Sequence, residues 1–127
     1  MQDVITMCFP AKPEYIPAIR LCVSGIVSKL DFDVEKLENV KTCLSEACML
    51  LLCSQTCNVF HVTIKIGETL RIAVCGSKTE RVETCRGCME FNAEMSKMLI
   101  NALCEQVEFL GSGKVLREVV FTVKNEG

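Results

Sequence analysis

Glu46 is the side chain in this sequence with the clearest capacity for acid–base chemistry. It lies in residues 44–52, Leu-Ser-Glu-Ala-Cys-Met-Leu-Leu-Leu, which are typical of a helix. Residues four apart on a helix share one face, so Glu46 and Leu50 point the same way. A carboxylate can serve as a general base, whereas an aliphatic side chain cannot coordinate Mg²⁺, which takes oxygen ligands. Glu46 is therefore either a retained general base or a carboxylate on the helix surface or at the edge of a pocket, with no catalytic task.

Cysteine is the second residue type that could perform chemistry, with ten in the chain. Cys85 and Cys88 form a Cys-x-x-Cys pattern, and Cys53 and Cys57 close the predicted second helix. Four thiolates could hold Zn²⁺ in a tetrahedral site, or one pair could be redox-active. The irregular spacings favour instead reduced thiols that pack as small hydrophobes in a reducing compartment. The cysteines within apolar segments are Cys22, Cys43, Cys48 and Cys104.

Hydrophobic periodicity predicts a strand and two helices in the first half of the chain. Residues 3–9 are predicted to form the strand, which Pro10 and Pro13 stop. An apolar stripe from Ile16 to Leu30 predicts the first helix. Asp33 is a predicted N-cap of the second helix, whose last turns are apolar on all sides and must be buried.

The following segment alternates apolar and polar residues and predicts a hairpin with one covered face. Its strands are residues 59–66 and 70–74, joined at Gly67 and Glu68. His61 shares the polar face with Thr63 and Lys65, and we interpret it as a solvated strand residue. Residues 76–92 lack periodicity and are predicted to be a loop or a lid-like segment.

The last third predicts a third helix followed by two paired strands. Met95 and Met98 lie within the helical pattern and are interpreted as core-filling residues. Residues 107–109 and 115–123 are predicted to pair across residues 111–113. The whole order predicts an α+β two-layer sandwich in one domain, residues 1–127, with a mostly antiparallel sheet covered on one face by three helices.

Composition excludes several classes of function. The net charge of −2 and the pI of about 5.5 argue against a nucleic-acid or membrane-surface partner. No apolar run approaches the ~20 residues of a membrane helix, and the first residues lack a basic signal-peptide start. These features predict a cytoplasmic protein.

Three blocks of the sequence resemble the anti-sigma factor serine-protein kinases, within the histidine-kinase-like ATPase superfamily. The blocks are residues 9–16, 44–48 and 99–107, and they occur in the family's order and spacing. The resemblance implies the histidine-kinase-like ATPase fold, in which ATP and Mg²⁺ bind beside the second helix.

The sequence departs from the family's nucleotide motifs at three places. The family carries Glu-x-x-x-Asn, with the Asn on Mg²⁺, where this chain has Glu46 and Leu50. The Asp that recognises adenine has no counterpart before Gly76 and Ser77. The glycine pair that meets phosphate is replaced by residues 92–96, in which Glu94 would repel phosphate. These departures predict a degenerate pocket and no bound cofactor.

The resemblance and these departures together predict a catalytically inactive regulator that acts by protein–protein binding. By resemblance its partner is a sigma factor or an anti-sigma antagonist, and a homodimer is expected. The carried-over contact residues are Tyr15, Arg20 and Val23, for which ordinary helix surface is the competing interpretation. One alternative is an active ATP-binding serine/threonine kinase with Glu46 as base; a second is a cysteine-based metal or redox protein.

Overall fold

The fold is built on a sheet of antiparallel strands. The structure is a computed structural model that describes residues 3–30, 32–53, 58–77, 93–112 and 115–124. Within these ranges one five-stranded sheet has the order β1-β2-β3-β5-β4, with every neighbouring pair antiparallel. The elements in chain order are β1 (Asp3–Pro10), α1 (Ile16–Val27), α2 (Val34–Cys53), β2 (Val59–Ile66), β3 (Thr69–Ser77), α3 (Ala93–Leu103), β4 (Gln106–Ser112) and β5 (Val115–Lys124). The predicted α+β fold is confirmed.

The starts of α1 and α2 follow from local sequence. Pro13 begins a short 3₁₀ turn, Pro13–Tyr15, that leads directly into α1; proline suits a first helical turn because its missing N–H needs no partner there. At α2, the Lys36 amide donates a 2.7 Å hydrogen bond to Asp33 Oδ1. This contact confirms Asp33 as the N-cap and satisfies one of the amides left open at a helix start.

The core lies between the sheet and the helices. Alternate residues of the central strands, such as Phe60, Ile72 and Phe121, are fully buried on the covered face. Because side chains alternate along a strand, their neighbours lie on the opposite, open face. The last turns of α2 are buried as predicted, and none of the helices in the described ranges is long and apolar enough to cross a membrane.

Helix α3 differs from the prediction in which side it buries. Met95 and Met98 are 66% and 70% exposed, so their interpretation as core-filling residues was wrong. The buried side of α3 carries Ser96 and Ile100, four residues apart, and packs on α2. The buried face of α3 therefore lies about one residue, or roughly 100° around the helix, from the face that the methionines indicated. The difference arises because the buried face includes a serine.

Two further expectations need correction. β3 extends to Ser77, so Gly76 and Ser77 are strand residues and not the start of a loop. Residues 78–92, the rest of that predicted loop, lie outside the described residues. Cys22 is exposed and so is not a core thiol, whereas Cys43 and Cys48 are buried as expected.

Candidate functional site

The most distinctive polar contact of the structure lies where α3 packs on α2. Ser96 Oγ of α3 donates a 2.7 Å hydrogen bond to Glu46 Oε2 of α2, and Ser96 is only 3% exposed. We call this contact region the α2–α3 seam and define it by Cys43, Glu46, Ser96 and Cys104. A carboxylate that accepts a short hydrogen bond from a buried hydroxyl is held in place, so Glu46 has a structural partner that the sequence did not reveal.

Leu50, the residue one turn after Glu46, belongs to the hydrophobic core. It is 4% exposed and clusters with Leu51 and the buried residues of the sheet. The resemblance places Mg²⁺ at this position, but the residues present do not fit that ion, because Leu50 has no oxygen and its side chain is enclosed by other apolar groups. The side chain fills space and contributes packing energy instead.

A pair of thiols lies at the same seam. Cys43 Sγ of α2 and Cys104 Sγ, just beyond the end of α3, are 3.0 Å apart. The hydrogen bond with Cys43, and then burial, raise the pKa of the Cys104 thiol, and the charges of Cys43 and Glu105 add to the effect. The Cys104 thiol is therefore protonated at neutral pH, because a negative charge on its sulfur would be buried beside a second sulfur.

The other residues of the expected pocket have ordinary structural positions. Gly76 pairs with Phe60 across β3 and β2, and the carbonyl of Ser77 accepts from the Asn58 amide. Ser77 Oγ also lies 2.8 Å from His61 Nε2, so His61 has a side-chain partner on the open face. Glu94 is exposed in the first turn of α3. Its negative charge interacts favourably with the helix dipole there and would repel a bound phosphate.

The three residues of the predicted partner surface differ in exposure. Tyr15 is 39% exposed and Arg20 is half-buried, but Val23 is fully buried in the core. Val23 is therefore not an exposed contact residue, because its side chain lies in the core cluster with the other buried residues of α1. This correction was available from the sequence, where Val23 already belonged to the apolar stripe of α1.

A groove between α1 and α2 lies beside Arg20, and the sequence analysis did not single out its other lining residues. It has a volume of about 250 Å³ and is lined by Pro17, Arg20, Leu21, Ser24 and Lys41. Leu21 is 75% exposed beside Arg20, so the groove has an apolar edge that is open to solvent. Lys41 Nζ forms a 2.6 Å ion pair with Glu38. The groove lining thus includes two basic side chains, Arg20 and Lys41, next to the apolar Leu21.

The open face of the sheet holds a second, more polar depression. Its volume is about 270 Å³, and its lining residues are Thr63, Lys65, Arg71, Ala73, Glu118 and Val120. Burial and the Glu118 carboxylate raise the pKa of the neighbouring Cys75 thiol, and Arg117 opposes them. Cys75 is thus expected to be mainly protonated at neutral pH and poorly nucleophilic.

Of the four cysteines that could form a metal or redox site, the structure describes only Cys53. Cys53 is bonded in a disulfide, so the expectation that the thiols are all reduced does not hold for it. Cys57, Cys85 and Cys88 lie outside the described residues. In the part of the chain that the structure describes, no group of three or more His, Cys, Asp or Glu residues is arranged to hold a metal ion.

Replacing Ser96 tests the contact that holds Glu46. We expect Ser96→Ala to lower the free energy of unfolding by about 1.5 kcal/mol, because the carboxylate loses a charge-assisted hydrogen bond and regains only part of its hydration. Urea unfolding followed by circular dichroism measures the change. The matched control is Asn101→Ala on the same helix, which removes only an exposed hydrogen bond to the Lys97 carbonyl and should stay within ~0.5 kcal/mol. Equal stabilities of the two variants would contradict the contact.

Comparison with known proteins gives local but close matches. The chain is 48% identical over 46 residues to the serine-protein kinase RsbW of Bacillus pumilus and 50% identical over 46 residues to that of Bacillus licheniformis. It is 49% identical over 47 residues to the serine-protein kinase RsbW of Listeria monocytogenes.

These matches cover about a third of the chain, and less than a third of each relative. The shares are 36% of this chain and 28% of the B. pumilus protein, and 37% and 30% for the L. monocytogenes protein. No protein-family model matches the chain. Over this stretch the chain is similar to the RsbW serine-protein kinases, in agreement with the resemblance that the sequence blocks indicated.

Proposed function

We propose that this protein is an anti-sigma-factor-like regulator that acts by binding another protein and that its α2–α3 seam has lost the capacity to bind ATP. The observation that carries the proposal is the 2.7 Å hydrogen bond from the buried Ser96 to Glu46, one helical turn from the buried Leu50. The two positions of α2 that resemble a base and a magnesium ligand are thus engaged in holding α3 and filling the core.

Three physical terms oppose nucleotide binding or catalysis at the seam. The hydrogen bond from Ser96 holds one oxygen of the Glu46 carboxylate against α3, so only the other oxygen could orient a nucleophile. Leu50 offers no oxygen to a divalent cation. Glu94 places a negative charge at the start of α3, where an anion would otherwise be stabilised by the helix terminus. The changes at Leu50 and Glu94 each weaken a triphosphate complex, the contact at Glu46 bears on catalysis, and by resemblance all three residues lie in the same region of the fold.

Calorimetry with ATP and Mg²⁺ tests this part of the proposal. We expect no detectable binding, or a Kd weaker than ~1 mM. A Kd of that size corresponds to a binding free energy of about −4 kcal/mol. The serine-protein kinase RsbW of B. licheniformis, titrated under the same conditions, is the positive control. A Kd in the micromolar range for this chain would contradict the proposal.

The same protein should be assayed for kinase activity, because Glu46 and the names of the relatives favour an active kinase as the second candidate. Incubation with radiolabelled ATP and a candidate antagonist protein should leave the antagonist unlabelled. Labelling that disappears in Glu46→Gln would establish the active kinase instead.

The α1–α2 groove supports the binding half of the proposal. Arg20 presents positive charge beside the exposed Leu21, whereas the charge of Lys41 is paired with Glu38. This combination suits a partner helix with an acidic residue next to an apolar anchor, since a desolvated Arg and a large side chain supply most of the binding energy in many interfaces. By resemblance, such a partner is a sigma factor or an anti-sigma antagonist.

Charge reversal at Arg20 tests this surface. We expect Arg20→Glu to weaken capture of the partner by at least ~10-fold, because the acidic anchor would meet a like charge. Affinity purification from the native host, quantified by mass spectrometry and by titration of the captured protein, measures the effect. The control is Lys29→Glu, which makes the same charge change at an exposed position just after α1. Equal losses in both variants would indicate general electrostatics and contradict a site at the groove.

A second copy of the chain is a further proposed partner, by resemblance. Among the described residues β1 is an edge strand of the sheet, and a strand edge is a surface on which another strand can add. Light scattering after size exclusion should give a mass of twice the 14.1 kDa chain at micromolar concentration. A mass equal to one chain would exclude the homodimer.

A further inference from the structure

We infer that Cys43 and Cys104 form a site of reversible oxidation, at which a low-molecular-weight disulfide compound converts the two thiols into a disulfide that joins α2 to the end of α3. The inference starts from the 3.0 Å separation of their sulfur atoms. It does not depend on the proposed partner binding or on the state of the nucleotide site.

The geometry favours bond formation between these two sulfurs. A disulfide has an S–S distance of about 2.05 Å, so the sulfurs must approach by roughly 1 Å. Cys43 lies inside α2 and is fully buried, so it is held in place. Cys104 follows the last residue of α3, and its amide still donates to the Ile100 carbonyl at 3.1 Å. Helix ends adjust more readily than helix interiors, so Cys104 can supply the movement.

The two sulfurs also differ in access, which fixes the order of steps. Cys104 is partly exposed, whereas Cys43 is not. The Cys104 thiolate attacks one sulfur of the disulfide compound RSSR, forms a mixed disulfide and expels RS⁻, which takes up a proton. The sulfur of Cys43, after losing its proton, then attacks the Cys104 sulfur and expels the second RS⁻. In total, two protein thiols and RSSR give one protein disulfide and two RSH, and two electrons pass to the small molecule.

The product would fix the α2–α3 seam. Cys43 and Cys104 are 61 residues apart in sequence, and the closed loop includes β2, β3 and α3. Cross-linking so long a loop restricts the unfolded chain and thereby stabilises the folded one. The bond would also hold Ser96 against Glu46. Cys43 and Glu46 both lie on α2, whereas Ser96 lies on α3 and Cys104 follows directly after it. The hydrogen bond that raises the pKa of Cys104 keeps its thiolate fraction small, so the exchange is slow at neutral pH.

The test uses the full chain and glutathione disulfide as the probe. The folded protein is incubated for several hours, its remaining thiols are alkylated before denaturation, and cross-linked peptides are identified by mass spectrometry. We expect a Cys43–Cys104 cross-linked peptide that dithiothreitol removes. We also expect the thermal unfolding midpoint to rise by about 10 °C relative to the chain before oxidation.

Two variants control the measurement. Cys104→Ala should form no such peptide and show no rise in midpoint, whereas Cys22→Ala, which removes an exposed thiol of α1, should behave like the unmodified chain. If Cys104→Ala fails to fold, the peptide map of the unmodified chain still decides the question. Recovery of Cys104 as an alkylated thiol, as a stable glutathione adduct or joined to another cysteine would overturn the inference.

Discussion

Leu50→Asn is expected to lower the free energy of unfolding by about 4 kcal/mol without creating a nucleotide site. The substitution restores the residue type that the family uses for Mg²⁺, but Leu50 is 4% exposed and surrounded by core side chains. An asparagine there loses the packing of a leucine and buries an amide without hydrogen-bond partners. Such a loss is a large part of the stability of a small domain.

Urea unfolding and ATP calorimetry on the same variant separate stability from binding. Leu50→Met, which nearly conserves volume, should cost less than ~1.5 kcal/mol and serves as the packing control. Glu35→Asn, at an exposed position of α2, controls for asparagine within this helix. A stable Leu50→Asn chain that binds ATP with Mg²⁺ would show that a single side chain closes the site, and our account of the seam would fail.

Phe121→Ala is expected to lower the free energy of unfolding by a similar amount, about 4 kcal/mol. Phe121 is fully buried on β5, opposite Ile72 on one neighbouring strand and Val107 on the other. Removing its ring leaves a cavity between the sheet and the helices that the surrounding side chains can fill only in part. Denaturant unfolding measures the change.

The adjacent residue provides the control for that prediction. Thr122 follows Phe121 in β5 and points to the open face, so Thr122→Ala should change stability by no more than ~1 kcal/mol. A comparable loss from Thr122→Ala would mean that both faces of β5 are covered. This result would contradict the two-layer arrangement.

Local signals in the sequence were sufficient for most of the fold. The N-cap at Asp33, the alternation through residues 59–66 and the apolar end of α2 each depend on neighbours within a few residues. The hydrogen bond to Asp33 and the buried strand residues agree with them. Even the pairing of β4 with β5 was predictable, although the irregularity between Leu110 and Gly111 was not.

The errors arose where one side chain gave an ambiguous signal. Met95 and Met98 appeared to define the core face of α3, but the helix buries Ser96 and Ile100 instead. Serine is seldom part of a buried stripe, and it is tolerated here because Glu46 accepts its hydrogen bond. The partner of the serine, 50 residues away, determines which side of α3 faces inward.

The sequence by itself determined the secondary structure, the α+β class and the absence of an oxygen ligand at Leu50, because these properties belong to single residues or to short periodic patterns. The tertiary structure decided how Glu46 is engaged, which thiols meet and where the α1–α2 groove opens. Ser96 and Glu46 are 50 residues apart, and Cys43 and Cys104 are 61 apart. Contacts between such distant residues depend on the packing of α3 against α2, and no local pattern in the chain encodes them.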